Sequence, residues 1–87
     1  MITNHNITDF NDIEFNPLPY GNPSDGVKHY GLIIFDNGYS VSIGQSTELN
    51  GTISYNLSAV KDSICEFDYT GLTESSVTTK LLEISEL

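Results

Sequence analysis

The side chains able to hold a metal or carry catalysis are two histidines, His5 and His29, one cysteine, Cys65, and twelve carboxylates. Structural zinc motifs bring ligands in close pairs, about two to four residues apart. No two of His5, His29 and Cys65 are spaced that way. The acidic stretch "DFNDIE", residues 9–14, lacks the alternate-position oxygens and the central glycine of a calcium loop. As a nucleophile Cys65 would need a neighbouring base and electropositive surroundings, whereas Glu66 and Asp68 beside it disfavour a thiolate. Its apolar pattern predicts a core position instead. Gly31, Gly38, Gly44 and Gly51 are dispersed and make no phosphate-cradling loop. The residues thus predict no catalytic, cofactor or metal site, and 87 residues leave little room for a sizeable concave pocket. The expectation is a protein that is not an enzyme.

Charge is the more informative property. The carboxylates (Asp9, Asp12, Glu14, Asp25, Asp36, Glu48, Asp62, Glu66, Asp68, Glu74, Glu83, Glu86) face only Lys28, Lys61 and Lys80, for a net charge of −9. Phosphate binding depends on Lys and Arg clusters, so the balance argues against direct binding to nucleic acid or an anionic membrane. The same field would steer the chain toward a basic protein, although an acidic surface also serves solubility alone. A single cysteine cannot form an internal disulfide, no run approaches a membrane span, and no N-terminal stretch joins a basic to an apolar region. These features predict a cytoplasmic protein. Three sequons, at Asn6, Asn50 and Asn56, are short enough to arise by chance in an Asn- and Ser-rich chain.

The elements that would position these residues divide the chain at about residue 26. Residues 1–12 show no sustained period and read as a loosely held arm. "IEFNPLPY", residues 13–20, contains Pro17 and Pro19, which restrict it to an edge strand or a cover segment. "GNPSDG", residues 21–26, is a loop. From residue 27 to 87 the pattern predicts a single α+β domain, an antiparallel sheet of three to four strands with one C-terminal helix packed on one face.

Within that domain "VKHYGLIIF" ends at Asn37-Gly38, the pair best suited to a two-residue type I′ hairpin. Such a turn pairs Phe35 with Ser40, Ile34 with Val41, Ile33 with Ser42 and Leu32 with Ile43. Leu32, Ile34, Val41 and Ile43 would then form the core face, and Ile33 and Phe35 would lie opposite among serines. Either the Pro-containing segment or another molecule must cover those two. "TISYNLSAV" alternates Ile53, Tyr55, Leu57 and Ala59 against Ser54, Asn56 and Ser58 as a half-buried strand, and a further strand places Cys65, Phe67 and Tyr69 on one face. In the last segment Thr73 is a suitable N-cap, Leu72 and Val77 form a hydrophobic staple, and Val77, Leu81 and Ile84 recur at i, i+4, i+7.

"FDNGYSVSI", a strand ending "YNLSAVKD" and the terminal "GLTESSVTTKLLEISEL" together resemble small uncharacterised proteins of tailed bacteriophages, over about residues 32–87. The N-terminal arm is longer than in those relatives, and the "GQSTELNG" connection is poorer in Tyr and Gly. The resemblance brings no activity, cofactor or site residue; it implies an accessory protein made in the cytoplasm of an infected bacterium. With the charge it yields the expected function: a non-enzymatic acidic protein that binds and modulates a basic host or phage protein, with imitation of nucleic-acid charge as one route. The expected contact residues are Ile33, Phe35, Asp36, Glu66 and Asp68. The alternative is an assembly component that forms a homo-oligomer through the Ile33/Phe35 face.

Overall fold

The computed structural model describes residues 3–15, 30–47 and 49–87. The Pro17/Pro19 segment, the loop at 21–26, Lys28 and His29 lie outside them. The described residues form an α+β fold of five strands and one helix: β1 (Thr3–His5), β2 (Tyr30–Ile34), β3 (Ser40–Thr47), β4 (Ile53–Lys61), β5 (Ile64–Leu72) and α1 (Glu74–Ser85), with a 3-10 turn at Phe10–Asp12. The sheet has the order β1-β2-β3-β4-β5. Strands β2 to β5 are antiparallel neighbours, but β1 runs parallel to β2, pairing Thr3 with Leu32 and His5 with Ile34. The sheet is therefore mixed and five-stranded, not antiparallel with three or four strands.

The added strand is too short to show a period and is held by side-chain amides. Asn4, buried, donates from Nδ2 to the carbonyls of Leu32 and Glu14 and accepts from the Glu14 N–H at 3.0 Å. One carboxamide thereby pairs with both backbone groups of Glu14, as a strand neighbour would. It draws the chain after the 3-10 turn across β2, where Ile13 and Phe15 settle on the backbone of Gly31. A Cβ at Gly31 would lie 2.7 Å from Ile13 Cγ2, so that approach requires glycine. Far from being loosely held, the arm gives Phe10 and Ile13 to the core, and the Phe10 ring meets Tyr55 edge-on at 4.8 Å.

The hairpin between β2 and β3 departs from the expected type I′ turn. Ile34 pairs with Ser40, Ile33 with Val41, Leu32 with Ser42 and Gly31 with Ile43. The Phe35 N–H donates to the Tyr39 carbonyl, the Gly38 N–H donates to the Phe35 carbonyl, and Gly38 alone in the turn has positive φ, 97°. This is a three-residue loop, a type I turn closed by glycine in the left-handed region. The extra loop residue shifts the register by one and moves each β2 side chain to the opposite face. Ile33 and Phe35 consequently join Tyr39, Val41, Ile43, Tyr55, Leu57 and Ala59 in the core, with Ile33 at 0% exposure and Phe35 at 3%. Leu32 and Ile34 occupy the other face, half-buried.

The helix begins where expected. The Thr73 hydroxyl accepts from the Ser76 N–H at 3.2 Å, and Val77, Leu81 and Ile84 are buried against the sheet. Burial of each such side chain stabilises the fold by about 1.5–3 kcal/mol. At the opposite end Asn37 donates from Nδ2 to the Ile84 carbonyl at 2.8 Å, while its Oδ1 accepts from the Tyr39 N–H at 3.1 Å. The hairpin thus caps the helix.

On β5 two bulges, between the pairings of Tyr55 and Leu57 and of Ala59 and Val60, each add a residue to the edge strand. The second places Cys65 opposite Val60 while Phe67 stays opposite Ala59, so Cys65 is exposed and not in the core.

Two substitutions test this packing. Val77→Asp puts a charge at a fully buried position and is expected to abolish the cooperative thermal transition in far-UV circular dichroism. Asn37→Ala removes the helix tie and is expected to cost about 0.5–1.5 kcal/mol in urea denaturation, the net worth of one hydrogen bond, since the Ile84 carbonyl keeps the Leu87 N–H.

Candidate interaction surface

Because β2–β3 and β4–β5 both turn at the same end of the sheet, and α1 finishes there, their connecting residues share one pole of the molecule. It carries Asp36 in the first turn, Asp62 in the second, Glu66 at the adjacent bulge, and Glu83 and Glu86 at the end of the helix. Helix carbonyls add negative potential at that end, where Lys or Arg would ordinarily be favourable. The last turn of α1 contains no basic residue.

Of the residues expected to contact a partner, three are exposed. Asp36 is tied to the arm, its carboxylate accepting from Asn6 Nδ2 at 2.9 Å and its N–H donating to Asn6 Oδ1 at 3.1 Å. Glu66 lies close enough to the Tyr39 hydroxyl to raise that phenol above its ordinary value. Asp68 accepts from Ser58 Oγ at 3.3 Å on the sheet face that the helix does not cover. Asp36 and Glu66 therefore belong to the pole, whereas Asp68 points to the other side. Ile33 and Phe35 are core residues and offer nothing to a partner, which removes the sheet face proposed for a homo-oligomer.

The lysines are the element that the residue pattern did not reveal. Lys61 Nζ lies 5.1 Å from the centre of the Tyr39 ring, and Lys80 Nζ lies 4.6 Å from that of Tyr69. Between them Phe67 stacks nearly parallel to Tyr69 at 6.2 Å and meets Tyr39 at 6.1 Å. Each cation is thus held against an aromatic face, worth about 0.5–1 kcal/mol at exposed sites. Lys80 also approaches Glu83 at 3.5 Å, the only ion pair among the described residues. The two lysines sit at the ends of one aromatic ladder, and Asp36, Asp62, Glu66 and Glu86 have no basic side chain paired with them among the described residues. Spacing alone could not show this, because Lys61 and Tyr39 meet only after β3 and β4 have paired.

Other surface features offer less chemistry. A shallow groove of about 540 Å³ runs between the 3-10 turn and the start of α1, lined by Phe10, Asn11, Glu74, Ser75, Thr78 and Thr79. Lys80 lines the adjoining depression with Ser75 and Thr79, but its Nζ is held over Tyr69 and against Glu83. No group of three His, Cys, Asp or Glu residues converges among the described residues. None of the described helices is long and apolar enough to cross a membrane. Comparison with known proteins yields no matching family model, no curated protein and no solved structure.

Two phenols titrate late. Tyr39 is raised above its ordinary value of 10.0 by its hydrogen bond to Glu66, then by burial and the Glu66 charge. Tyr55 is raised by burial and then by the charge of Glu74. A raised phenol favours the folded state fully below the unfolded value, and that contribution is lost as pH climbs through the folded value. Ultraviolet titration of the folded protein should therefore show Glu66→Gln moving one phenol back toward 10.0, and Tyr39→Phe deleting it. An unchanged curve in Glu66→Gln would show that Glu66 does not act on the Tyr39 phenol.

Proposed function

We propose that the chain is a non-enzymatic binding protein that docks on a basic surface of another protein through the acidic pole formed by Asp36, Asp62, Glu66 and Glu86. The observation that supports this reading most strongly is the disposal of Lys61 and Lys80 on the protein's own tyrosines. Lys61 is the one cation left beside the turn at Gly38, so negative charge predominates at a helix C-terminus, where it costs stability instead of adding it. A cationic partner would relieve that repulsion, and the field would speed its encounter. The resemblance to phage proteins supplies the setting: an accessory protein in the host cytoplasm that modulates a host or phage protein. A nucleic-acid-binding protein suits the pole especially well, because carboxylates can occupy positions that its lysines and arginines otherwise give to phosphates.

The test is capture of partners from a bacterial lysate by immobilised protein at low salt and at about 0.5 M salt, where the screening length shortens to a few ångströms. A partner retained at low salt, released at high salt, and lost with the combined variant Asp36→Asn, Asp62→Asn, Glu66→Gln, Glu86→Gln is expected. A partner that ignores both salt and the substitutions, or none at all, would contradict the reading.

A further inference from the structure

Two Asn-Gly steps occur among the described residues, Asn37-Gly38 and Asn50-Gly51, and their local geometry is the same. In each the asparagine Oδ1 accepts from the backbone N–H two residues on, Tyr39 N at 3.1 Å and Thr52 N at 3.0 Å. Both glycines have positive φ, 97° and 86°. Asn-Gly is the dipeptide most open to intramolecular attack, because glycine has no side chain to hinder the approach of its own backbone nitrogen and leaves that backbone freest to move. Identical local settings give the two steps similar intrinsic reactivity.

Their tertiary settings differ. The Asn37 amide nitrogen is donated at 2.8 Å to the Ile84 carbonyl, the Gly38 N–H is donated to Phe35, and Asn37 is half-buried between hairpin and helix. To react, Asn37 must swing its Cγ toward Gly38 N and give up the helix tie. Asn50 is exposed in the connection between β3 and β4, and nothing lies within 4 Å of a Cβ built on Gly51. Leu49 beside it is fully exposed, so no packing opposes the rotation.

We infer that Asn50 is a site of spontaneous covalent modification, deamidation through a succinimide, and that Asn37 is protected from the same reaction by its bond to the helix. The Gly51 backbone nitrogen attacks Asn50 Cγ. The N–Cγ bond forms, the Cγ–Nδ2 bond breaks, and ammonia leaves with the proton lost from the Gly51 nitrogen. Water then adds to either ring carbonyl and opens the ring to aspartate or isoaspartate at position 50. The balance is one water consumed and one ammonia released, with a carboxylate gained at the end of the sheet remote from the acidic pole. At position 37 the same change would set a carboxylate against the Ile84 carbonyl and undo the cap.

The experiment is peptide mapping by mass spectrometry of the full chain, held folded at mildly alkaline pH and sampled over days, beside an identical sample in concentrated urea. In the folded chain conversion at position 50 is expected to run about tenfold or more ahead of position 37, since reaction at Asn37 waits on local opening. In urea the two positions are expected to convert at similar rates, and Gly51→Ala is expected to slow position 50 in both conditions while leaving position 37 unaffected. Equal rates in the folded chain, earlier conversion at position 37, or an Asn50 that stays intact when folded would each overturn the inference.

Discussion

The fold depends on the length of one turn. A hairpin loop of two residues and one of three differ in whether Asn37 joins Gly38 at positive φ, yet side chains alternate so strictly along a strand that the difference decides which half of β2 is buried. With Gly38 closing a three-residue loop, Ile33 and Phe35 face Val41, Ile43 and the helix. With the shorter loop Leu32 and Ile34 would do so, and the backbone of Gly31 would no longer meet Ile13 and Phe15. The arm docks only on the first arrangement, because Asn4 sits beside Ile33 in the sheet and reaches Glu14 from there.

The same turn closes the helix with a neutral group. Helix C-termini are commonly balanced by lysine or arginine, which satisfy the last carbonyls and offset the dipole together. Here the Asn37 amide satisfies a carbonyl without supplying charge. The lysines that could have done both are engaged with Tyr39 and Tyr69. Hydrogen bonding at this end is therefore met while its potential stays negative. Structural closure and a predominantly acidic pole, with Lys61 beside Gly38 as its one cation among the described residues, meet at this residue.

Local chemistry made much of this legible. Thr73, the staple residues and the Val77, Leu81, Ile84 stripe lie within a dozen positions, and each acts on its neighbours, so the helix could be read directly. The alternation in β4 was equally plain. Asn37-Gly38 announces a hairpin but not its loop length, because the pair suits the type I′ turn and the type I turn with a left-handed glycine alike. The choice is made by what must pack against the helix. β1 was hidden because three residues carry no period and their partners lie far along the chain. The bulge that exposes Cys65 has no local marker, and the placing of Lys61 on Tyr39 exists only once the sheet has formed. Of the contact residues read from the pattern, the charged ones stayed at the surface, while Ile33 and Phe35 inherited the error in the turn.

Cross-strand nuclear Overhauser contacts between Hα protons of β2 and β3 measure that turn directly. The three-residue loop predicts strong contacts linking Ile34 with Ser40 and Leu32 with Ser42, the pairs that do not exchange hydrogen bonds. Contacts linking Phe35 with Ser40 and Ile33 with Ser42 would contradict it, and with it the burial of Ile33 and Phe35 and the capping of the helix by Asn37.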